Sequence, residues 1–283
     1  MLVAQISDLH VAESGSFMRG FVDANALLDR AVAYLNGLTH QPDVVIATGD
    51  LTDHGLPAEY GLLREILGPL RAPVLLIRGN HDERVPFAEA FGDPPAQYAV
   101  DDAGPVRLVA VDSVREGHHD GEVDRERLAW VDATLTARPD TPTLVFLHHV
   151  PFATGIWWMD RIGLTGAADL EAVVRRHPQV RLVAAGHLHR PITTAWGPTV
   201  VSVASSTAHQ TRCDLDPEHR PVIAAEPPML SLHQWTGDRF VSHCTPFGRE
   251  EAVIDLAALM SDWEQARVRI EQGPPFAKGG AFG

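Results

Sequence analysis

Short apolar runs separated by amphipathic helical segments constrain this chain more than any other feature. "LVAQIS" (2–7), "DVVIAT" (43–48), "PVLLIR" (73–78), "VRLVAVD" (106–112), "TLVFLH" (143–148) and "RLVAAG" (181–186) are rich in β-branched residues and too short for helices. They read as strands buried on both faces. Between them, Asp23–Leu38 places apolar residues three and four apart, with Asp23 set to cap the first turn. Pro57–Leu70 has proline near its start and Gly-Pro near its end, and Asp124–Ala137 and Ala167–His177 complete the helical set. This alternation predicts a layered α/β domain with helices packed on sheet faces.

After Gly186 the pattern changes to strands joined by turns. Pro228–Trp235 and Arg239–Phe247 alternate as a hairpin across Thr236, Gly237 and Asp238. Glu250–Gln272 carries a helical stripe through Leu256, Leu259, Met260, Trp263 and Ile270, and the glycine- and proline-rich tail after it reads as flexible. We expect a core over residues 1–211. The C-terminal hairpin and helix, 212–283, form an extension that belongs to the same domain or serves oligomerisation.

A chain of 283 residues suits one large domain, alone or with an appendage. No apolar run approaches the roughly 20 residues that span a bilayer, so no membrane insertion is expected. The first strand begins at the initiator Met without a basic segment or cleavage pattern, which predicts no signal peptide. Cys213 and Cys244 are the two cysteines and make no metal-type pair. A reduced cytoplasmic protein is expected, with a Cys213–Cys244 link left open. The formal charge of −14 argues against a surface for nucleic-acid polymers.

The 15 histidines concentrate in short clusters, and several of these finish the apolar runs. The first run ends in Asp8 and His10, the second in Asp50, and the third in Asn80 and His81. The run from Thr143 ends in His148 and His149, and that from Arg181 in His187 and His189. Ligands in α/β sheets gather at the carboxyl ends of strands. Any one of these pieces is ordinary turn chemistry; all five, each on a strand end, point to a metal centre. Asp8, His10, Asp50 and His189 can surround one divalent ion, and Asp50, Asn80, His148 and His187 a second. Asp50, with two oxygens and a negative charge, is the natural bridge. Imidazole, carboxylate and amide donors together suit Zn, Mn, Fe or Co. Two such ions, less Asp8, Asp50 and a bridging hydroxide, leave one positive charge, which attracts a phosphodiester despite the acidic protein.

These D-x-H, G-D, G-N-H-D, H and G-H-x-H blocks make the chain resemble the calcineurin-like metallophosphoesterases. Within that superfamily it is similar to the class III cyclic-nucleotide phosphodiesterases, which include bacterial glycerophosphodiesterases. The likeness runs from Leu2 to about Gln210 and takes in "GFVDANALLDRAVAYLNGL", "GLPAEYGLLREIL" and "STAHQ". It implies a four-layer α/β/β/α sandwich, two metal ions per chain, and a homodimer or larger homo-oligomer to which the 228–247 hairpin contributes.

The expected activity is hydrolysis of small phosphodiesters, 3′,5′-cyclic nucleotides such as cyclic AMP or glycerophosphodiesters, by attack of a metal-bridging hydroxide. A broad phosphomonoesterase and a non-catalytic scaffold on the same fold are the alternatives. Asp50 and His81 are the expected catalytic residues, His81 stabilising or protonating the leaving alkoxide. Asp82 is read either as orienting an imidazole or as a plain helix-start carboxylate. Phe21, His149, Trp157, Trp158 and His209 are candidates for substrate contact, whereas His118 and His119 are read as a solvated loop.

Overall fold

The computed structural model describes residues 1–13, 20–248 and 262–272. The first half runs β1 (Leu2–Ile6), α1 (Ala24–Gly37), β2 (Val44–Thr48), α2 (Pro57–Leu67), β3 (Val74–Ile77), α3 (Arg84–Phe91), β4 (Tyr98–Val100), β5 (Arg107–Ala110), β6 (Gly121–Glu122) and α4 (Arg125–Thr136). Next come β7 (Thr143–Phe146), α5 (Trp157–Asp160), β8 (Leu164–Thr165), α6 (Ala167–Val174), β9 (Val180–Ala185), β10 (Ile192–Trp196) and β11 (Thr199–Val203). The remainder is β12 (Gln210–Thr211), β13 (Ile223–Ala224), β14 (Met229–Trp235), β15 (Phe240–Pro246) and α7 (Trp263–Gln272). Residues to Gly248 form one compact unit; α7 belongs to a second and is described only as a helix.

Two sheets carry the first unit, ordered β15-β14-β1-β2-β3 and β10-β11-β9-β7-β5-β4. Strands β1, β2 and β3 are mutually parallel, as are β5, β7 and β9, so each sheet presents a row of carboxyl ends. The period of two along each strand sorts the core into layers. On β1 and β2, Ala4, Ile6, Val45 and Ala47 pack with Leu28, Leu35, Tyr60 and Leu63 of α1 and α2. The alternate residues Val3, Val44 and Ile46 turn the other way, against Leu108, Leu144, Phe146 and Leu182 of the second sheet. On the far side Val109, Val145 and Val183 meet Val131 and Leu135 of α4 and Leu170 of α6. Helix, sheet, sheet, helix: the α/β/β/α order follows from strands apolar on both faces.

Asp23 caps α1 as the sequence predicts, its carboxylate accepting from the Ala26 N–H at 3.0 Å. The hairpin adds to the first sheet, β14 running antiparallel to β1 with Gln5 opposite Ser231. Helix α3 enters the sequence reading only as the helix start that Asp82 would precede, because it is short and begins in a polar run. Its Phe87 and Phe91, four apart, close on Tyr60 with ring centroids 6.0 and 6.2 Å away. Of the stripe expected on Glu250–Gln272, Leu256, Leu259 and Met260 lie outside the described residues, as does the tail.

Candidate metal centre

Every predicted ligand group stands just past the carboxyl end of a parallel strand. The chain there does not stay extended. Asp8, His10, Asp50, His187 and His189 have φ of 52°, 47°, 47°, 69° and 52°, and Asp93 is the one other non-glycine with positive φ among the described residues. Such conformations cost about 1–3 kcal/mol each and persist where the surroundings over-determine them. Left-handed residues at both ends of D-x-H and H-x-H break the strand alternation, and acceptor atoms of Asp8, His10, Asp50 and His189 converge within 4.8 Å. Close approach is the role of Gly79: a Cβ there would overlap the Asp50 backbone nitrogen and carboxylate.

Hydrogen bonds behind the rings fix what the front presents. His10 Nδ1 lies 3.0 Å from Asp53 Oδ1, His148 Nδ1 2.8 Å from the Thr48 carbonyl, and His189 Nδ1 3.1 Å from the His209 carbonyl. Each partner is an acceptor, so each Nδ1 carries the proton and each Nε2 turns a lone pair into the centre. His187 is the reverse, its Nε2 donating to the Ile162 carbonyl at 2.9 Å and leaving Nδ1 as the acceptor. These lone pairs meet one another. His10 Nε2 is 3.2 Å from His189 Nε2, His148 Nε2 is 3.0 Å from Asn80 Oδ1, and His189 Nε2 is 3.3 Å from Asp8 Oδ1. Acceptors facing acceptors at hydrogen-bond distance repel unless a cation lies among them, so the donor set fits divalent metal.

Asp50 stands between the two groups. Its Oδ2 is 3.8 Å from His10 Nε2 and its Oδ1 is 3.4 Å from His148 Nε2. Burial opposes its ionisation, but His148, His81 and His10 outweigh that and hold the carboxyl well below the usual range. Burial likewise works against charge on His189, yet Asp8 and Asp50 beside it raise its pKa, whereas burial and the neighbouring histidines lower those of His10 and His187.

Asp53, Asp82 and His119 support the ligand candidates from behind. Asp53 orients His10, and its backbone carbonyl accepts from His81 Nδ1 at 2.8 Å. Asp82 is neither an imidazole partner nor a cap. Its buried carboxylate accepts from the Leu51, Thr52 and Gly79 N–H groups and from the Tyr60 hydroxyl, clamping the Asp50 loop to the Asn80 loop. Burial and Asp50 push its pKa up to about 6 against those donors. His119, read as solvated, reaches Asn80: the Asn80 Nδ2 donates to His119 Nδ1 at 3.2 Å.

A cavity of about 670 Å³ opens over the centre, lined by His81, His119 and His209 as well as by ligand candidates. Its apolar wall is Trp158, Met159, Ile162 and Ile223. Of the residues read as substrate contacts, Trp158 and His209 line it. Phe21 and Trp157 are exposed and are not among the described residues lining it; Trp157 Nε1 donates instead to the His219 carbonyl at 3.0 Å. His149 is fully buried with both ring nitrogens engaged, at 2.9 Å from Ser113 Oγ and 3.2 Å from the His119 carbonyl. Burial, and then His148, lower its pKa to about 3, so it is a neutral support under the His119 loop.

Comparison with known proteins agrees with this geometry. The family model described as calcineurin-like phosphoesterase matches residues 1–191. A glycerophosphodiester phosphodiesterase, GpdQ, of Enterobacter lignolyticus is 36% identical over 253 residues, covering 86% of this chain and 90% of that protein. The 3′,5′-cyclic adenosine monophosphate phosphodiesterase CpdA of Pseudomonas aeruginosa is 31% identical over 211 residues, 74% of this chain and 77% of that one. A dimetal phosphatase from Danio rerio shares the fold, with a TM-score of 0.64 at 18% identity over 89% of this chain and 97% of that one. With its strand-end ligands gathered and two-thirds of its length matched, the chain belongs to the calcineurin-like phosphoesterase family, beside glycerophosphodiesterases and cyclic-nucleotide phosphodiesterases.

Proposed function

We propose that this protein hydrolyses small phosphodiesters with two divalent transition-metal ions, one held by Asp8, His10, Asp50 and His189, the other by Asp50, Asn80, His148 and His187. The observation that carries this is Asp50, whose two oxygens face two different imidazoles, His10 at 3.8 Å and His148 at 3.4 Å. Mixed imidazole, carboxylate and amide donors suit Zn, Mn, Fe or Co. When bound, such ions polarise phosphoryl oxygens and make water acidic enough to attack near neutral pH.

The chain's own residues supply the rest. His81 Nδ1 is committed to the Asp53 carbonyl, which leaves Nε2 to hold a proton at the cavity and give it to the leaving alkoxide. Trp158, Met159, Ile162 and Ile223 form a surface for the organic part of the ester. Among the described residues no Lys or Arg lines the cavity, which favours a diester with one charge over a monoester with two. Similarity to a glycerophosphodiesterase over 86% of the chain and to a cyclic AMP phosphodiesterase over 74% supports glycerophosphodiesters and cyclic nucleotides as the substrate classes.

Free, exposed Cys213 and Cys244 support a reducing compartment, the cytoplasm. Among the described residues no helix is long and apolar enough to cross a membrane. The outer strand β15, mostly exposed and, among the described residues, unpaired along its outer edge, supports a homodimer through the hairpin.

Rates of metal-reconstituted protein on glycerophosphoethanolamine, cyclic AMP, cyclic GMP, bis-nitrophenyl phosphate and nitrophenyl phosphate test the reading. Diesters are expected to exceed the monoester; a monoester turned over faster than every diester overturns it.

A further inference from the structure

The layer between the two sheets is apolar at Val3, Val44, Ile46, Leu144 and Leu182, but directly beneath the metal centre a polar chain runs through it. Gln5, Thr48 and His233 are each completely buried there. The directions of their hydrogen bonds can be assigned one by one. Gln5 Nε2 donates to Thr48 Oγ1 and to the Ala185 carbonyl, both at 2.9 Å. Its Oε1 can only accept, so the 3.0 Å contact with His233 Nε2 is an N–H donation from the ring. His233 Nδ1 is then an acceptor, taking the Ser242 hydroxyl at 2.7 Å.

The far ends of this chain are ligand-bearing segments. Thr48 lies two residues before Asp50, and its carbonyl accepts the Nδ1 proton of His148. Ala185 is two residues before His187, whose N–H donates to both Asp8 oxygens at 3.0 and 3.1 Å. Gln5 itself stands on β1, the strand that ends in Asp8. One amide thus joins three strands from two sheets at the level where their ligands begin.

We infer that Gln5, oriented by His233, is a positioning residue that holds the ends of β1, β2 and β9 in the spacing the metal centre requires. The inference rests on the metal-site reading above. Stability alone does not call for this chain, because replacing both members of a buried hydrogen bond by apolar groups of similar shape is nearly neutral or stabilising. Its product is geometry: fixed carbonyls that set the His148 tautomer and the His187 backbone.

The test measures Mn²⁺ affinity, by electron paramagnetic resonance of free Mn²⁺ during titration of metal-free protein, alongside metal-free Tm. The double variant Gln5→Leu, His233→Leu removes both partners and should keep its metal-free Tm while binding Mn²⁺ about 10- to 100-fold more weakly. His233→Gln, which keeps an N–H donor toward Gln5, should restore affinity to within about threefold of the original protein. If the double variant does not fold, Gln5→Met carries the same expectation for Mn²⁺ affinity, with a lower metal-free Tm because the buried His233 N–H loses its acceptor. Double-variant or Gln5→Met affinity within about twofold of the original protein overturns the inference. Failure of the original protein itself to bind Mn²⁺ would instead overturn the metal-site reading.

Discussion

The backbone N–H of His81 donates to Oδ1 of Asp50 at 2.9 Å, so the proposed acid and the proposed bridge are joined by main chain. His81→Ala keeps that bond and removes only the imidazole. We predict a loss of about 10²- to 10⁴-fold on glycerophosphodiesters, whose alkoxide leaves poorly, and a much smaller loss on bis-nitrophenyl phosphate. Steady-state kinetics on the two substrates check this; equal losses remove His81 as the proton donor.

Asn80 must turn its oxygen, not its nitrogen, toward His148, and His119 holds it that way by accepting from Nδ2. His119→Ala should free the amide to flip and weaken the second metal site by about tenfold, leaving the first unchanged. Stepwise Mn²⁺ titration resolves the two.

Asp82→Ala strands the buried N–H groups of Leu51, Thr52 and Gly79. At about 1–3 kcal/mol for each unsatisfied donor, the metal-free protein should lose at least ~3 kcal/mol in urea unfolding. Tyr60→Phe removes one donor to the same carboxylate and should cost about 1 kcal/mol.

Much of this was legible in the sequence, for definite reasons. Buried parallel strands are apolar on both faces, so the runs ending at Ser7, Thr48 and His148 announced themselves, and polar ligands at their ends stood out against that background. What stayed hidden depends on distance in the chain. Asp53 and His10 are 43 residues apart, and His119 reaches Asn80 across 39. Nothing local distinguishes either from a solvated side chain. Asp82 looked like a cap because it precedes a helix, yet most of its partners come from the loop after β2 and from Tyr60 of α2. His149 lies beside His148, with ring centroids 4.8 Å apart, but Ser113 and the His119 carbonyl, 36 and 30 residues away in the chain, engage both its ring nitrogens.

His233 supplies a pH dependence separate from the metal ligands. Burial, and then His243, lower its pKa to about 4 in the folded protein, from about 6.5 for the free side chain. Between these values the unfolded chain binds the extra proton, so stability is complete above about pH 6.5 and is lost as pH falls toward 4. The full effect is about 3 kcal/mol, and the slope about 1.4 kcal/mol per pH unit. Metal-free His233→Phe should show a stability profile shallower by about that slope across the window, measured by urea unfolding at stepped pH. Parallel profiles for the two proteins would assign the dependence to other groups.

The most direct measurement is anomalous diffraction from crystals of Mn²⁺-loaded protein. A bridging role for Asp50 predicts two peaks, one on each side of its carboxylate and about 3.5–4 Å apart. A single peak, or a pair in which Asp50 contacts only one, contradicts it.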